Sequence, residues 1–344
     1  MKGSPELEPW NVSASAFPGH DAPVADRLRN LLGYAVLAPS SHNTQPWIFR
    51  LRGGRVEVYA DRSRALPVVD HDDRELTMSC GCALFNLRVA AEHFGYQPLI
   101  ELQPDPGERD LLAAFALGPR HEVPHETHVL FGAIPRRHTN RAPFEGRAVE
   151  ETLVARLVAA AETERAWLAP FTRKRDRHAI AGLVAEGDRI QFADKRFRRE
   201  LAAWIHANRS HSRDGMPGYA HGYSDLVSIA EPFVIRTFDL GKGVAAKDMD
   251  LAEHSPLLAV LGTRGDTTVE WLRAGQALQH VLLLATAVGL SASFLNQPIE
   301  VETLRPRLAS IAERQGVPQC LLRIGYAPEA KPTPRRGVEE VVRG

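Results

Sequence analysis

The sequence predicts an α+β protein in which one unit is written twice, so that two tandem half-repeats form an intrachain pseudo-dimer. Three observations carry this. Helix-period segments alternate with short runs that read as strands. The segment 81–95 matches 275–289 without a gap: Gly81, Ala83, Leu84, Leu87, Ala91 and Gly95 face Gly275, Ala277, Leu278, Val281, Ala285 and Gly289. The order of elements around these two segments repeats as well. Any two helices rich in Ala and Leu match to some degree; the repeated order decides for duplication. Small residues at Gly81/Gly275 and Ala91/Ala285 let the two helices approach closely and build a pseudo-two-fold core.

The elements follow in order. Residues 1–20, rich in Pro, Ser and Gly, read as an irregular N-terminal arm. The first half-repeat takes residues 21–125. Asp21 and Pro23 open a helix whose Leu28, Leu31, Leu32, Ala35 and Val36 share a face, and Pro39 ends it. Gly53-Gly54 between Trp47–Leu51 and Arg55–Tyr59 signals a hairpin. Asp72 or Asp73 caps a helix running to about His93, closed by Gly95. Apolar runs at 99–102 and 113–117 are strands. The stretch 118–135, with three prolines and two glycines, is the expected boundary. The second half-repeat takes residues 126–344. It reads as helices at 150–170 and 176–210, a strand at 257–262, helices at about 269–288 and 301–314, a strand at 319–325 and a polar tail. An insertion of about 172–230 contains the irregular stretch Ser210–Asp225, long enough to serve as a lid.

Composition narrows the function. The 344 residues carry 42 Lys+Arg against 42 Asp+Glu, which argues against a nucleic-acid partner or an anionic membrane surface. The longest apolar run, Val281–Leu290, is half the length needed to span a bilayer. No secretory signal is visible, and three cysteines are an intracellular usage, so a cytoplasmic location is expected. Cys80-Gly81-Cys82 lacks the redox spacing and behaves as a pair of small hydrophobes. His121, His125 and His128 are separated from any common helix by Pro124, so no metal is expected.

Four segments could carry chemistry. Ala38–Trp47 (APSSHNTQPW) joins a helix to a strand and is dense in short donors and acceptors. It suits a polar planar ligand, and equally a well-made turn. In Arg136–Arg141 (RRHTNR), Arg137, Thr139 and Arg141 alternate, so two guanidinium groups flank a hydroxyl as an anion would require. Taken alone, a solvated basic stretch is the simpler reading. Gln297–Glu300 (QPIE) and Thr333–Val338 (TPRRGV) draw no notice by themselves.

Together these segments resemble the FMN-binding nitroreductase family, and most closely its longer double-repeat, Acg-like members, from about Asp26 to Val342. The resemblance implies a nitroreductase-like fold and FMN as cofactor. It assigns the FMN phosphate to Arg137, Thr139 and Arg141 with Arg335 or Arg336. It assigns a backbone N–H near flavin N5 to the Pro298, Ile299, Glu300 loop. It brings Pro39, Ser40, Ser41, Asn43 and Gln45 to the same flavin from the other half. Short family members hold all motifs in one chain and form two sites across a dimer. Here the first half keeps PSSHNTQPW and the second keeps RRHTNR, NQPIE and PTPRR. One complete flavin site per chain and one vestigial site are therefore expected, with the chain a monomer or weak homodimer.

The implied activity is ping-pong reduction of a small aromatic, quinone or nitro acceptor by NAD(P)H, with no catalytic residue required beyond the flavin. The insertion leaves an alternative. If Tyr219 and Tyr223 form a fixed lid over the flavin, the protein binds or sequesters FMN without turnover. A degenerate scaffold that no longer binds flavin is the third possibility.

Overall fold

The computed structural model describes residues 5–343; the first four residues of the expected N-terminal arm lie outside them. The rest of that arm is not loose. Two short 3₁₀ turns, Pro5–Trp10 and Ala14–Ala16, pack onto the body, and Trp10 donates from Nε1 to the Thr333 carbonyl at 2.8 Å. The chain then forms α1 (Val24–Ala35), the hairpin β1 (Trp47–Arg52) and β2 (Arg55–Ala60), α2 (Arg74–His93), β3 (Tyr96–Leu102) and β4 (Leu111–Arg120). Gly53 and Gly54 both take positive φ, 55° and 76°, which the two-residue turn requires. The cap of α2 differs from expectation. Asp73 adopts φ 57° and makes no side-chain cap, while the Asp70 carboxylate accepts the Glu75 and Leu76 amides at 3.0 and 2.9 Å.

Of the stretch 118–135, where a boundary was expected, only residues 121–124 and the 3₁₀ turn that begins at Ile134 lie outside α-helix and strand. β4 runs through Arg120, and α3 (His125–Ala133) starts directly after Pro124. Then come α4 (Glu151–Thr163) and β5 (Trp167–Phe171), where the sequence reading extended one helix to 170. Pro170 is unsuited to a helix interior and is tolerated on β5, an edge strand. The helix expected at 176–210 is two, α5 (Lys174–Ala193) and α6 (Lys195–Ala203), broken at Asp194, whose carboxylate caps α6 through the Arg196 amide at 2.7 Å. β6 (Ile205–His206), β7 (Met216–Pro217), α7 (Asp225–Thr237) and α8 (Gly241–His254) follow, so the excursion between strands extends past 230 to residue 256. The chain closes with β8 (Leu257–Thr263), α9 (Thr268–Ala287), β9 (Ser291–Phe294), α10 (Gln297–Glu300), α11 (Arg305–Ala312), β10 (Val317–Gly325), α12 (Val338–Val341) and β11 (Val342–Arg343).

Two mixed or antiparallel sheets flank the helical centre. Their orders are β11-β1-β2-β4-β3 and β5-β8-β10-β9. With the C-terminal β11 set aside, the two orders correspond strand for strand. β11 runs parallel to β1, pairing Val342 with Phe49, and so ties the chain end to the first sheet. The second sheet is buried on both faces. Leu257, Ala259 and Leu261 of β8 join the main core, while Leu258 and Val260 join a second core beneath α5, α8 and α11.

The two long central helices, α2 and α9, meet backbone to backbone. A Cβ on Gly81 would lie 2.5 Å from the Leu272 carbonyl oxygen, and one on Gly275 would lie 2.0 Å from that of Met78. Neither oxygen belongs to a side chain that can swing away. We expect Gly275→Ala to cost at least about 2–3 kcal/mol in urea unfolding, the scale of overpacking a tight core. Gly182→Ala in α5 has nothing within 4 Å of its new Cβ and should instead gain up to about 1 kcal/mol from helix propensity. Equal effects of the two substitutions would contradict the close approach.

Candidate active site

A cavity of about 370 Å³ opens where the loop after α1, the first half of α2, β9, α10 and the excursion helices α5 to α8 converge. The loop is under backbone strain. His42, Asn43 and Gln45 take φ of 50°, 57° and 51°, rare for residues with a Cβ. The strain is held by named bonds. The Ser40 hydroxyl accepts the Gln45 amide at 2.8 Å, and Ser41 donates to Glu75 at 2.5 Å. Asn43 donates from Nδ2 to the carbonyls of Gly215 and Pro334 at 2.9 and 3.0 Å. Gln45 donates to Arg213 and accepts the Arg336 amide at 2.7 Å each. Pro39, Ser40 and Ser41 line the cavity, whereas Asn43 and Gln45 are buried clasps between this loop and the two segments that cross it.

The arginines separate by role. Thr139 and Arg141 line the cavity, and the backbone at 139–140 bridges to Ala292 of β9. Arg137 lies deeper, 3% exposed, with one long bond of 3.4 Å to the Leu37 carbonyl and no partner for Nε. Arg335, expected in a polar tail, is also 3% exposed. It donates to Asn43 Oδ1 at 2.6 Å, its guanidinium sits over Trp10 at 4.8 Å, and its Nε has no partner. Burial without a carboxylate pulls Arg137 down to about 10; burial, then the neighbouring Arg137 charge, pulls Arg335 well below its usual value. Arg336 is spoken for by the carbonyls of Gln45 and Glu340, each at 3.0 Å, and by Asp61 at 3.7 Å. Of the two C-terminal candidates, Arg335 alone carries a buried unsatisfied donor.

The QPIE segment also differs from expectation. It is the short helix α10 rather than a loop, and the amides of Ile299 and Glu300 both donate to the Asn296 carbonyl, at 2.7 and 2.9 Å. Pro298 and Ile299 are buried, and Ile299 belongs to the second core; the side chains of Gln297 and Glu300 face the cavity. Of the two expected lid residues, Tyr223 lines the cavity. Tyr219 instead donates to the Pro332 carbonyl at 2.8 Å and borders a separate small cleft.

Sequence reading missed the acidic side of the cavity. Asp188 of α5 is 1% exposed and accepts Gln297 Nε2 at 3.0 Å; the same amide nitrogen donates to Asp248 of α8 at 2.9 Å. Glu231 of α7 is 6% exposed and paired with His221 at 2.7 Å. Burial, with Glu75 adding to it, pushes Glu300 well above the usual carboxylate range. A signal was present. Asp188 interrupts the apolar stripe Ile180, Val184, Phe192 at helical spacing, and a lone carboxylate on a core-facing stripe is unusual. His42 is held near 4 by burial, then by Arg141 and His221.

No family model matches the chain. Two Mycobacterium tuberculosis (strain ATCC 25618 / H37Rv) proteins that bear the name "Putative NAD(P)H nitroreductase" are similar along almost its whole length. Rv3131 is 35% identical over 327 residues, covering 93% of this chain and 92% of the relative. The protein named acg is 30% identical over 327 residues, covering 92% and 95%. A crystal structure titled as the FMN and NADPH-dependent nitroreductase NfnB from Sphigopyxis sp. strain HMH aligns at 18% identity and a TM-score of 0.42, over 62% of this chain and 98% of that one.

Asp188 is pushed up to about 7 by burial and by Asp248. A carboxyl raised on folding contributes stability that is whole below its unfolded value near 4 and is lost as pH rises through about 7. Asp188→Asn removes that loss. The ligand-free variant should gain on the parent in urea unfolding between pH 4 and pH 8, by up to about 4 kcal/mol. A stability difference independent of pH would refute the assignment.

Proposed function

Because the chain belongs to the NAD(P)H nitroreductase family of oxidoreductases, we propose that it binds one FMN per chain at this cavity. With NAD(P)H it then reduces a small aromatic, quinone or nitro acceptor. The observation that carries the cofactor assignment is the pair Arg137 and Arg335. Two buried guanidinium groups, each with an unpartnered Nε and no carboxylate beside it, form a site that an anion completes. That is the phosphate position the family resemblance implies. The residues present fit the group: Arg137 and Arg335 for the phosphate, with Thr139 and Arg141 at the cavity wall and Ser40 and Ser41 from the strained loop. Arg336, Gln45 and Asn43 act one step back by holding that loop and the C-terminal segment together. When bound, FMN supplies the hydride and electron chemistry. Arg141 contributes a positive charge facing the cavity, with Asp248 as its counter-charge.

The corresponding strand orders of the two sheets support the tandem half-repeat reading, with the halves joined at residues 121–124. Under that correspondence Trp167 is the counterpart of Trp47. A second cavity lies at that place, bordered by Arg165, Trp167, Arg264 and Arg273. Among the described residues, none of these arginines holds a buried unpartnered nitrogen, and the local sequence Glu164-Arg165-Ala166-Trp167 has no Pro-Ser-Ser loop. A single flavin per chain follows. The sequestering alternative draws on one observation, that the excursion helices α5 to α8 and Tyr223 wall the cavity.

Titration with FMN should saturate at one equivalent per chain. Arg137→Met should weaken FMN binding by about 1.5–3 kcal/mol, the worth of a charged hydrogen bond. The same variant should unfold at higher urea when ligand-free, since it relieves a buried unpaired cation. Two equivalents of FMN would overturn the single-site reading, and undiminished affinity in the variant would remove the phosphate assignment. Anaerobic mixing of the FMN-loaded protein with NADH or NADPH should bleach the flavin within seconds. A flavin that stays oxidised under excess nicotinamide would favour sequestration instead.

A further inference from the structure

The excursion helices line the cavity with three carboxylates, Asp188, Glu231 and Asp248, and with one lysine, Lys247. Asp188 of α5 and Glu231 of α7 are each more than nine-tenths buried, and each spends one oxygen inside the protein, on Gln297 and His221. The other oxygens, Asp188 Oδ2 and Glu231 Oε2, are buried and have no partner. Gln297 Oε1, on α10, is in the same condition. Three residues on three elements that line one cavity therefore each carry a buried acceptor without a partner. Buried acceptors left in this state destabilise the fold, so a ligand that donates to them has a clear gain.

The surroundings define that ligand further. Asp248 adds a third carboxylate from α8, with Lys247 beside it; Arg141 and Arg323 lie toward the β9 side. Among the described residues no group of His, Cys, Asp or Glu has a metal-binding arrangement, and an amide N–H of Gln297 already occupies the space between Asp188 and Asp248. Between the polar groups the wall is apolar, with Phe192, Ile235, Val244 and Leu251. Nitro and carboxylate groups offer only further acceptors to such a surface.

Resting on the flavin reading of the same cavity, we propose that the face built by α5, α7 and α8 is a subsite for an organic cation. Its ligand combines a flat apolar body with an N–H-bearing group such as an amidinium, guanidinium or primary ammonium. Asp188 and Glu231 accept from the charged group, and the apolar wall packs on the body.

The test uses the FMN-loaded protein at pH 8 and three probes of one shape: benzamidinium, benzamide and benzoate, with binding read by calorimetry and by perturbation of the flavin spectrum. Benzamidinium should bind most tightly and benzoate least. Asp188→Asn and Glu231→Gln should each weaken benzamidinium by about ten-fold or more, the scale of one charged hydrogen bond, while benzamide changes far less. FMN content and the flavin spectrum of each variant report on folding. Benzoate binding as tightly as benzamidinium, or benzamidinium binding unchanged in both variants, would overturn the subsite. If the protein takes up no FMN, the flavin reading fails separately, and calorimetry on the ligand-free chain still decides the subsite by the same ranking and the same variants.

Discussion

The architecture depends on one contact, the approach of α2 and α9 at Gly81 and Gly275. Each glycine faces a carbonyl oxygen of the other helix at a distance no Cβ tolerates. The two helices therefore form a single packed unit, and each sheet is positioned from it. Close packing there keeps the cavity lining in register. Met78, Ser79 and Cys82 of α2 face the same space as Leu278 of α9. A separation of the helices by an ångström would widen the floor on which the strained loop and α10 converge. The C-terminal β11, paired to β1, and the Asn43–Arg335 bond secure the other side.

Around this packed centre the chain tolerates an electrostatic arrangement that a purely structural protein would avoid. Arg137 and Arg335 are buried close enough for their charges to be felt, with no carboxylate paired to either, and Asp188 and Glu231 are buried with one acceptor each unpartnered. The formal charge of zero hides both. Pairing these opposite charges with each other would be the simplest way to stabilise the fold, yet the helices of the excursion hold the acids apart from the arginines. Buried polar groups left unmatched in a well-packed frame are the places where a functional site is sought.

Much of the fold could be read from local pattern. The hairpin at Gly53-Gly54, the helix closed by Gly95, the doubly buried strand at Leu257–Thr263 and the long apolar helix ending before Gly289 each depend on turn chemistry or periodicity within the segment itself. Where the reading failed, the deciding contact was distant. Trp167–Phe171 extends because its partner strand is β8, some ninety residues on; the α3 helix hides among prolines; α7 has a buried stripe of only Ser228, Glu231 and Ile235 and so shows a weak period.

The sequence by itself marked the segments that could carry chemistry, because runs such as RRHTNR and PSSHNTQPW hold several donors and acceptors in consecutive residues; their assignment to a flavin rests on the family resemblance. It could not decide which of those donors are left free by the fold. Arg335 and Arg336 are neighbours in the chain with the same side chain, yet one is buried with a free donor while the other is consumed by Gln45, Glu340 and Asp61. The acids of the excursion were invisible as a set, since Asp188, Glu231 and Asp248 lie on three helices and share no local spacing. Only tertiary packing makes them neighbours, by setting all three against the same cavity.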